Sequence, residues 1–267
     1  MEDTEKISDT AARAIARELK LEPAARQNVR PRAVGLSATL LLVAFFSVAG
    51  QGQTVDRTAL ETDILTRVAE LKNTEQLFLA PSTRDQAKYA DFLRQPDTGL
   101  IRLLPRETFD GKLTIEGGGA FYSFARLTHY SSDIMLEQSQ FSVGFAGADF
   151  GFLTTLGKLA IDDVTLNHPA SQFLATFAAP TNEAEARQQY QRSATGFDVN
   201  GFTYRSRVPV KKKGAYLLRS INYGTSDLLV AFRVVSIDDD GSVVIVWRIL
   251  KKFPVPHLIT TQATSRR

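Results

Sequence analysis

The stretch from Gly214 to Phe253, GAYLLRSINYGTSDLLVAFRVVSIDDDGSVVIVWRILKKF, constrains the fold of this chain more than any other part. Two of its segments, Leu228 to Ile237 and Ser242 to Leu250, are rich in β-branched and aromatic residues. They flank Asp239-Asp240-Gly241, a sequence typical of a tight hairpin turn. The pattern therefore predicts three successive β-strands, of which the last two form a hairpin.

The turn also predicts the register of this hairpin. A three-residue turn with Gly241 in the left-handed conformation pairs Asp238 with Ser242. Both faces of the two strands are apolar apart from two arginines, so we expect both faces to be covered. The arginines either stack on aromatic neighbours or form an anion site. The register sets two pairs across the hairpin: Arg233 with Trp247, and Phe232 with Arg248.

The rest of the chain predicts an α+β fold that is mostly antiparallel β. Residues 54–79 have a helical apolar stripe, with Thr54 or Thr58 as the cap, and Ser82 opens a second helix with a variant of the capping box. We expect these two helices to cover the sheet, which is a single sheet or a sandwich that ends in the C-terminal hairpin. Beyond Leu100 the apolar period changes to two, and short strands are predicted at Leu100 to Leu104, Lys112 to Glu116, Ala120 to Leu127 and Gln140 to Phe145.

The segment from Ala33 to Gly50 carries no charge and follows a basic cluster of Arg26, Arg30 and Arg32. This order is typical of a signal peptide, and small residues at 47–50 offer cleavage sites. Eighteen residues also lie near the lower limit for a membrane span. We therefore expect either a cleaved signal or an anchor in the inner membrane, with the following residues periplasmic, at the cell surface or secreted.

These features predict the domain organisation. Residues 1–32 form a short cytoplasmic segment, or an extension that is absent if translation starts near Val29. Residues 33–50 are the signal or anchor, and residues 54–258 form one extracytoplasmic α+β domain with a possible subdivision near 180–197. Residues 259–267 are predicted to be a loose tail.

Local sequence patterns predict no catalytic, cofactor or metal site. The chain has no cysteine and only three histidines, and none of these forms a zinc-binding pair. Residues 151–159 miss the phosphate-loop spacing by one residue and end in Leu159. A calcium loop that begins at Ser236 would need a carboxylate where Trp247 stands. The group His129 to Asp133 lacks the sequence context of a catalytic triad.

Charge is unevenly distributed along the chain, whose formal net charge is +3. The segment 51–192 carries thirteen bases and eighteen acids, and 193–267 carries twelve bases and five acids. The basic part could contact the acidic part, anionic lipid, a polysaccharide or an envelope protein, but not nucleic acid outside the cytoplasm. The candidate anion or partner contacts are Arg205, Arg207, Lys211, Lys212, Lys213, Arg233 and Arg248. The alternative for the basic run 205–213 is a solvated strand edge.

The sequence therefore favours a non-enzymatic binding or structural protein of the cell envelope. One alternative is an extracytoplasmic hydrolase that uses a pair of carboxylates, for example on polysaccharide, since such pairs are set by distance in space. Another is a carrier of an apolar ligand. The carrier hypothesis depends on the aromatic residues of the middle region: Phe121, Phe124, Phe141, Phe145, Phe150 and Phe152.

Overall fold

Antiparallel strands dominate the fold, and six α-helices accompany them in the residues that the structure describes. The computed structural model describes residues 56–125, 132–145 and 147–259. The helices are α1 Arg57–Leu79, α2 Thr83–Lys88, α3 Ala90–Leu93, α4 Arg106–Phe109, α5 Pro169–Thr176 and α6 Glu183–Thr195. The strands are β1 Thr98–Leu103, β2 Phe121–Tyr122, β3 Ile134–Glu137, β4 Gln140–Ser142, β5 Phe150–Gly157, β6 Phe197–Val199, β7 Phe202–Tyr204, β8 Arg207–Pro209, β9 Ala215–Asn222, β10 Ser226–Ile237 and β11 Val243–Lys252.

The central element is a five-stranded sheet with the strand order β1-β11-β10-β9-β5, in which every neighbouring pair is antiparallel. The three strands predicted in Gly214 to Phe253 are its β9, β10 and β11, so that prediction is confirmed. A second sheet has the order β2-β3-β4-β8, and β6 and β7 form a small hairpin. The α+β, mostly antiparallel class predicted from the sequence is thus the class observed.

Both faces of the central sheet are covered, as its apolar strands predicted. One face packs against the four-stranded sheet, and the residues at this interface include Phe141 of β4, Phe232 of β10 and Trp247 of β11. The opposite face packs against helices, with Phe92 of α3 and Leu174 of α5 in the same cluster as Leu217 of β9. The described residues therefore form three layers: a small sheet, the central sheet and a helical layer.

The predicted register of the β10–β11 hairpin is wrong beyond its first pairs. Ile237 pairs with Val243 as expected, but a β-bulge between Val234 and Ser236 shifts the register by one residue. As a result Phe232 lies opposite Trp247. Since a shift of one residue exchanges the two faces of a strand, Trp247 packs on the same face as Phe232 and not on the face of Leu229. Arg233 and Arg248 consequently lie opposite Val246 and Ala231.

Helix α1 was expected to cover the sheet, but most of it does not. Its apolar stripe is exposed, with Ile64 58% and Leu65 62% accessible, and Glu75 is its only buried residue. The cap is also different from the predicted one: the Asp56 carboxylate accepts hydrogen bonds from the backbone N–H groups of Thr58 and Ala59. The second predicted helix packs on the sheet as expected, but it is divided into α2 and α3 at Tyr89.

The strand predicted at Lys112 to Glu116 is a turn region. The N–H and hydroxyl of Thr114 donate to the Glu75 carboxylate, at 2.6 and 2.5 Å, so this segment is bonded to the end of α1 and not to a sheet. The predicted segments 1–32 and 33–50 lie outside the described residues. Within the part of the chain that the structure describes, no helix combines the length and apolar character of a bilayer crossing.

Candidate functional site

The main candidate site is a cleft of about 640 Å³ at the hairpin end of the central sheet. Its floor is formed by apolar and small residues of β10 and β11, and its walls are formed by α2, the side chain of Arg102 and the loop before β9. We call it the basic cleft. Its lining residues are Ala80, Ser82, Arg84, Asp85, Lys88, Arg102, Lys212, Val235, Ser236, Asp238 and Val244.

The cap of α2 positions one wall of the basic cleft. The Ser82 hydroxyl accepts a hydrogen bond from the Asp85 N–H at 3.1 Å and donates to the Asp85 carboxylate at 2.8 Å, as the predicted capping-box variant requires. Residues four apart share a helix face, so Arg84 and Lys88 extend along the same wall. The Asp85 carboxylate lies in this wall but is engaged in the cap.

Arg102 joins the end of α1 to the hairpin turn. Its guanidinium donates to the Phe78 carbonyl at 2.9 Å, to the Asp238 carboxylate at 3.2 Å and to the Asp240 carboxylate at 2.8 Å. Burial alone would raise the pKa of Asp240, but the hydrogen bonds from Ser242 and the charge of Arg102 outweigh it and lower that pKa. Because its charge is compensated by these carboxylates, Arg102 builds the cleft and leaves little charge for a ligand.

Three cations of the basic cleft remain without an acidic partner. Arg84, Lys88 and Lys212 are exposed, and none of them forms an ion pair with a residue in the described ranges. The Lys88 ammonium lies 5.2 Å from the centre of the Tyr89 ring, a contact that leaves its charge available. The cleft is therefore a concave surface with a net positive charge, which attracts anions.

The seven residues singled out in the sequence do not form one cluster. Lys212 lines the basic cleft, with Lys211 and Lys213 beside it in the chain. Arg207 belongs to β8, and the backbone of Arg205 bonds to Leu153 of β5, at 2.6 and 2.9 Å. The two hairpin arginines have separate partners: Arg233 donates to the Tyr89 hydroxyl at 3.3 Å, and Arg248 lies 3.6 Å from the Asp162 carboxylate.

Sequence reasoning missed the contribution of Arg84, Lys88 and Arg102 to this site. The capping box already indicated that Arg84 lies in the first turn of a helix, which places Lys88 on the same face. The missing information was tertiary, because the packing of α2 beside the hairpin brings these residues to Lys212.

Two carboxylates of the strand-rich region, Asp133 and Glu137, are engaged in structural contacts. Asp133 is fully buried, and its carboxylate accepts hydrogen bonds from the Phe124 N–H at 2.7 Å and from the Asn222 amide at 2.9 Å. Glu137 lies 3.3 Å from the Arg106 guanidinium. Among the described residues, no three His, Asp or Glu side chains are grouped so that they could hold a metal ion.

The comparisons with known proteins add no family to this description. No protein-family model, no curated protein and no solved structure matches the chain. The class that the fold and site define is therefore a three-layer α+β domain with a basic cleft.

Proposed function

We propose that the protein is a non-enzymatic binding protein of the cell envelope, exported or membrane-anchored, and that its basic cleft binds an anionic polysaccharide. One observation carries the proposal: Arg84, Lys88 and Lys212, none of which forms an ion pair with a described residue, lie on one concave surface where Asp85 is the one carboxylate of the lining that is not paired with Arg102. The envelope setting is supported by the uncharged segment 33–50 and the arginines before it.

The shape of the cleft favours a polymer chain over a membrane surface. A bilayer presents a broad, gently curved surface, and a protein that binds it needs basic side chains that protrude together. Here the cations line a recess that is walled by α2 and by the loop before β9. A polysaccharide chain with carboxylate or sulfate groups can enter such a recess and place its charges beside the three cations.

The test measures the binding of oligogalacturonate and of dextran sulfate by calorimetry, at several salt concentrations. The triple variant Arg84→Gln, Lys88→Gln, Lys212→Gln should bind about tenfold more weakly or worse, a loss of about 1.4 kcal/mol. Binding by the wild-type chain should weaken as salt rises, because exposed charges are screened.

A matched control removes three cations outside the cleft and away from Lys212 in the chain, in the variant Lys72→Gln, Lys112→Gln, Lys158→Gln. All three are exposed and absent from the cleft lining. This control should bind within about twofold of wild type. Equal losses in the two triple variants would assign the binding to overall charge. Binding to phosphatidylglycerol vesicles without binding to either polysaccharide would replace the proposed ligand by anionic lipid.

Neither alternative function has a supporting observation. The hydrolase hypothesis needs two carboxylates that are free to act on a substrate. Asp133 and Glu137 bond to protein groups, so these two do not supply that pair. For the carrier hypothesis, Phe141, Phe150 and Phe152 are fully buried and contact other aromatic rings of the core edge to face. Both alternatives stay predictions of the sequence.

A further inference from the structure

Among the described residues, strand β1 lies at the edge of the central sheet and is bonded to β11 on one side only. The N–H of Ile249 donates to the carbonyl of Asp97 at 2.8 Å, so this pair belongs to the hydrogen-bonded set. In an antiparallel ladder, hydrogen-bonded and non-hydrogen-bonded pairs alternate. The register pairs Gly99 with Trp247. The backbone groups of Gly99 and Ile101 therefore point towards β11.

By the same alternation, the backbone groups of Leu100 and Arg102 point away from β11. Leu104, two residues further, follows this rule, since its N–H donates to the Gly119 carbonyl at 3.1 Å on the outer side. The outward N–H and C=O groups of Leu100 and Arg102 have no such partner among the described residues. The edge therefore presents two donors and two acceptors in the spacing of a β-strand.

A groove of about 500 Å³ runs along this edge. One wall is helical and contains Leu93, which packs with the core on the helical face of the sheet, and the other contains Tyr122, which packs with the core on the opposite face. The described residues of its lining carry no charged side chain: Pro81, Gln86, Leu93, Thr98, Gly99, Leu100, Ile101 and Tyr122.

We propose that this groove binds an uncharged, extended segment of a partner protein, which adds to the central sheet as a sixth strand beside β1. The outward backbone groups of Leu100 and Arg102, which no described residue pairs, match an occupant that has a peptide backbone, because a backbone repeats donors and acceptors at the strand spacing. The uncharged lining matches a segment with apolar or hydroxyl side chains. Successive side chains of that segment alternate between the wall of Leu93 and the wall of Tyr122.

The walls of the groove favour a single extended segment over a second copy of this chain. In each copy, the β1 edge has the helical wall on one side and Tyr122 on the other. Pairing two β1 edges would therefore bring the helical wall of one copy against the helical wall or Tyr122 of the other. A single extended segment needs only the width of the groove. The site adjoins the basic cleft, because Arg102 lines the cleft and also offers its backbone at the edge, but the groove lining itself contains no residue of the cleft. It extends the proposed function to a protein partner.

The experiment selects peptides that bind the full-length chain from a random dodecapeptide phage library. Peptides that also bind the variant Leu100→Pro are first removed from the library. Proline removes the outward N–H of Leu100 and is tolerated at edge positions where the N–H faces solvent. Enriched peptides should be uncharged and rich in β-branched or aromatic residues. They should bind Leu100→Pro about tenfold more weakly, and Leu100→Val, which keeps the backbone donor, within about twofold of wild type.

A second measurement does not depend on the folding of the proline variant. Synthetic copies of an enriched peptide, with N-methyl groups on alternate residues, should lose binding about tenfold, because one edge of the peptide then lacks donors. Peptide binding should also slow hydrogen exchange of the Leu100 and Arg102 amides in the wild-type chain, and leave that of Ile101 unchanged.

Three results would overturn the proposal. One is a selection that enriches no peptide sequence. Another is a set of enriched peptides that bind Leu100→Pro and wild type equally, or that are acidic, as ligands of the basic cleft would be. The third is strong protection of the Leu100 and Arg102 amides in the free full-length chain, because the groove would then already be filled by the chain itself or by a second copy.

Discussion

Asp133 shows at the residue scale how the fold accommodates a buried carboxylate. Burial raises its pKa, and hydrogen bonds from Ser220, Ser123 and the N–H groups of Phe124 and Ala125 oppose that rise without cancelling it. A raised folded-state pKa means that the folded protein binds the proton more tightly than the unfolded chain. Asp133 therefore stabilises the fold below its unfolded pKa of about 3.9, and this stability is lost as the pH rises towards the folded pKa.

The variant Asp133→Asn should remove this dependence on pH. Asparagine keeps a hydrogen-bond acceptor for the Phe124 N–H and cannot ionise. We expect the free energy of unfolding of wild type, relative to this variant, to fall as the pH rises from about 4 to 7. Each unit by which the pKa is raised corresponds to about 1.4 kcal/mol. Urea unfolding at several pH values is the measurement.

The control for this prediction is Asp239→Asn, at an exposed carboxylate of the hairpin turn with no ion pair to a described residue. The free energy of unfolding of this variant, relative to wild type, should vary little with pH. Burial also raises the pKa values of Asp149 and Asp227. Both residues are present in wild type and variant, so their contributions to the pH dependence of stability cancel in the comparison. A constant difference for Asp133→Asn would show that Asp133 ionises in the folded protein as it does in the unfolded chain.

A buried ion pair of the central sheet also connects two of its strands to the helical layer. Arg219 of β9 and Asp227 of β10 are both almost completely buried, and a nitrogen of Arg219 lies 2.7 Å from the Asp227 carboxylate. The same guanidinium also donates to the Leu174 carbonyl of α5 and lies over the Phe253 ring. Because every part of this charge has a partner, the arginine can lie inside the core at an acceptable cost.

Helix α1 is the element that the rest of the molecule supports least. Its contacts are concentrated at its C-terminal end, where Glu75 bonds to Thr114 and Phe78 bonds to Arg102. The preceding turns are exposed. These turns gain little from tertiary contacts, whereas most helical stability in proteins comes from the packing of one face.

Hydrogen exchange should reveal this weak support. The amides of residues 61–72 of α1 should exchange about 100-fold or more faster than those of β9 and β10, because they can open without disturbing the core. Helix α6 is the control, since Ala186 and Ser193 bury one of its faces, and it should exchange more slowly than α1. Mass spectrometry of the deuterated, full-length chain measures both. Protection of α1 equal to that of β10 would mean that another surface covers its apolar stripe.

The same elements show how far the sequence predicts the fold. Local composition was sufficient for β9, β10 and β11, since each is an apolar run bounded by turn residues. It could not predict the bulge at Val235, because an extra residue in a ladder depends on how the paired strands twist and pack. Strand β5 was missed because Gly151 and Gly157 break its pattern. The basic cleft was missed because Arg84, Arg102 and Lys212 come from three separate segments.

At the scale of the whole molecule, the unequal charges of the two halves meet at the edge of the central sheet. The Lys252 ammonium lies 2.6 Å from the Asp97 carboxylate, and Arg248 is close to Asp162, so cations of the basic half meet acids of the acidic half. Arg102 makes the reverse contact with Asp238 and Asp240. These pairs compensate only part of the charge, and Lys212 is among the cations left to attract a ligand.

The export hypothesis determines where any ligand must be sought, and it makes a prediction about the intact protein. In its native host the chain should be found outside the cytoplasm. A soluble species that begins near Gly50 or Gln51 would show a cleaved signal, and a membrane species that retains residues 33–50 would show an anchor. The variant Leu41→Arg, Val43→Arg should stay in the cytoplasm, because two charges at the centre of the apolar segment cost about 5–7 kcal/mol on insertion scales. Intact-mass measurement of each cell fraction distinguishes these cases. A cytoplasmic wild-type chain that retains residues 33–50 would contradict export and place the ligands of the basic cleft inside the cell.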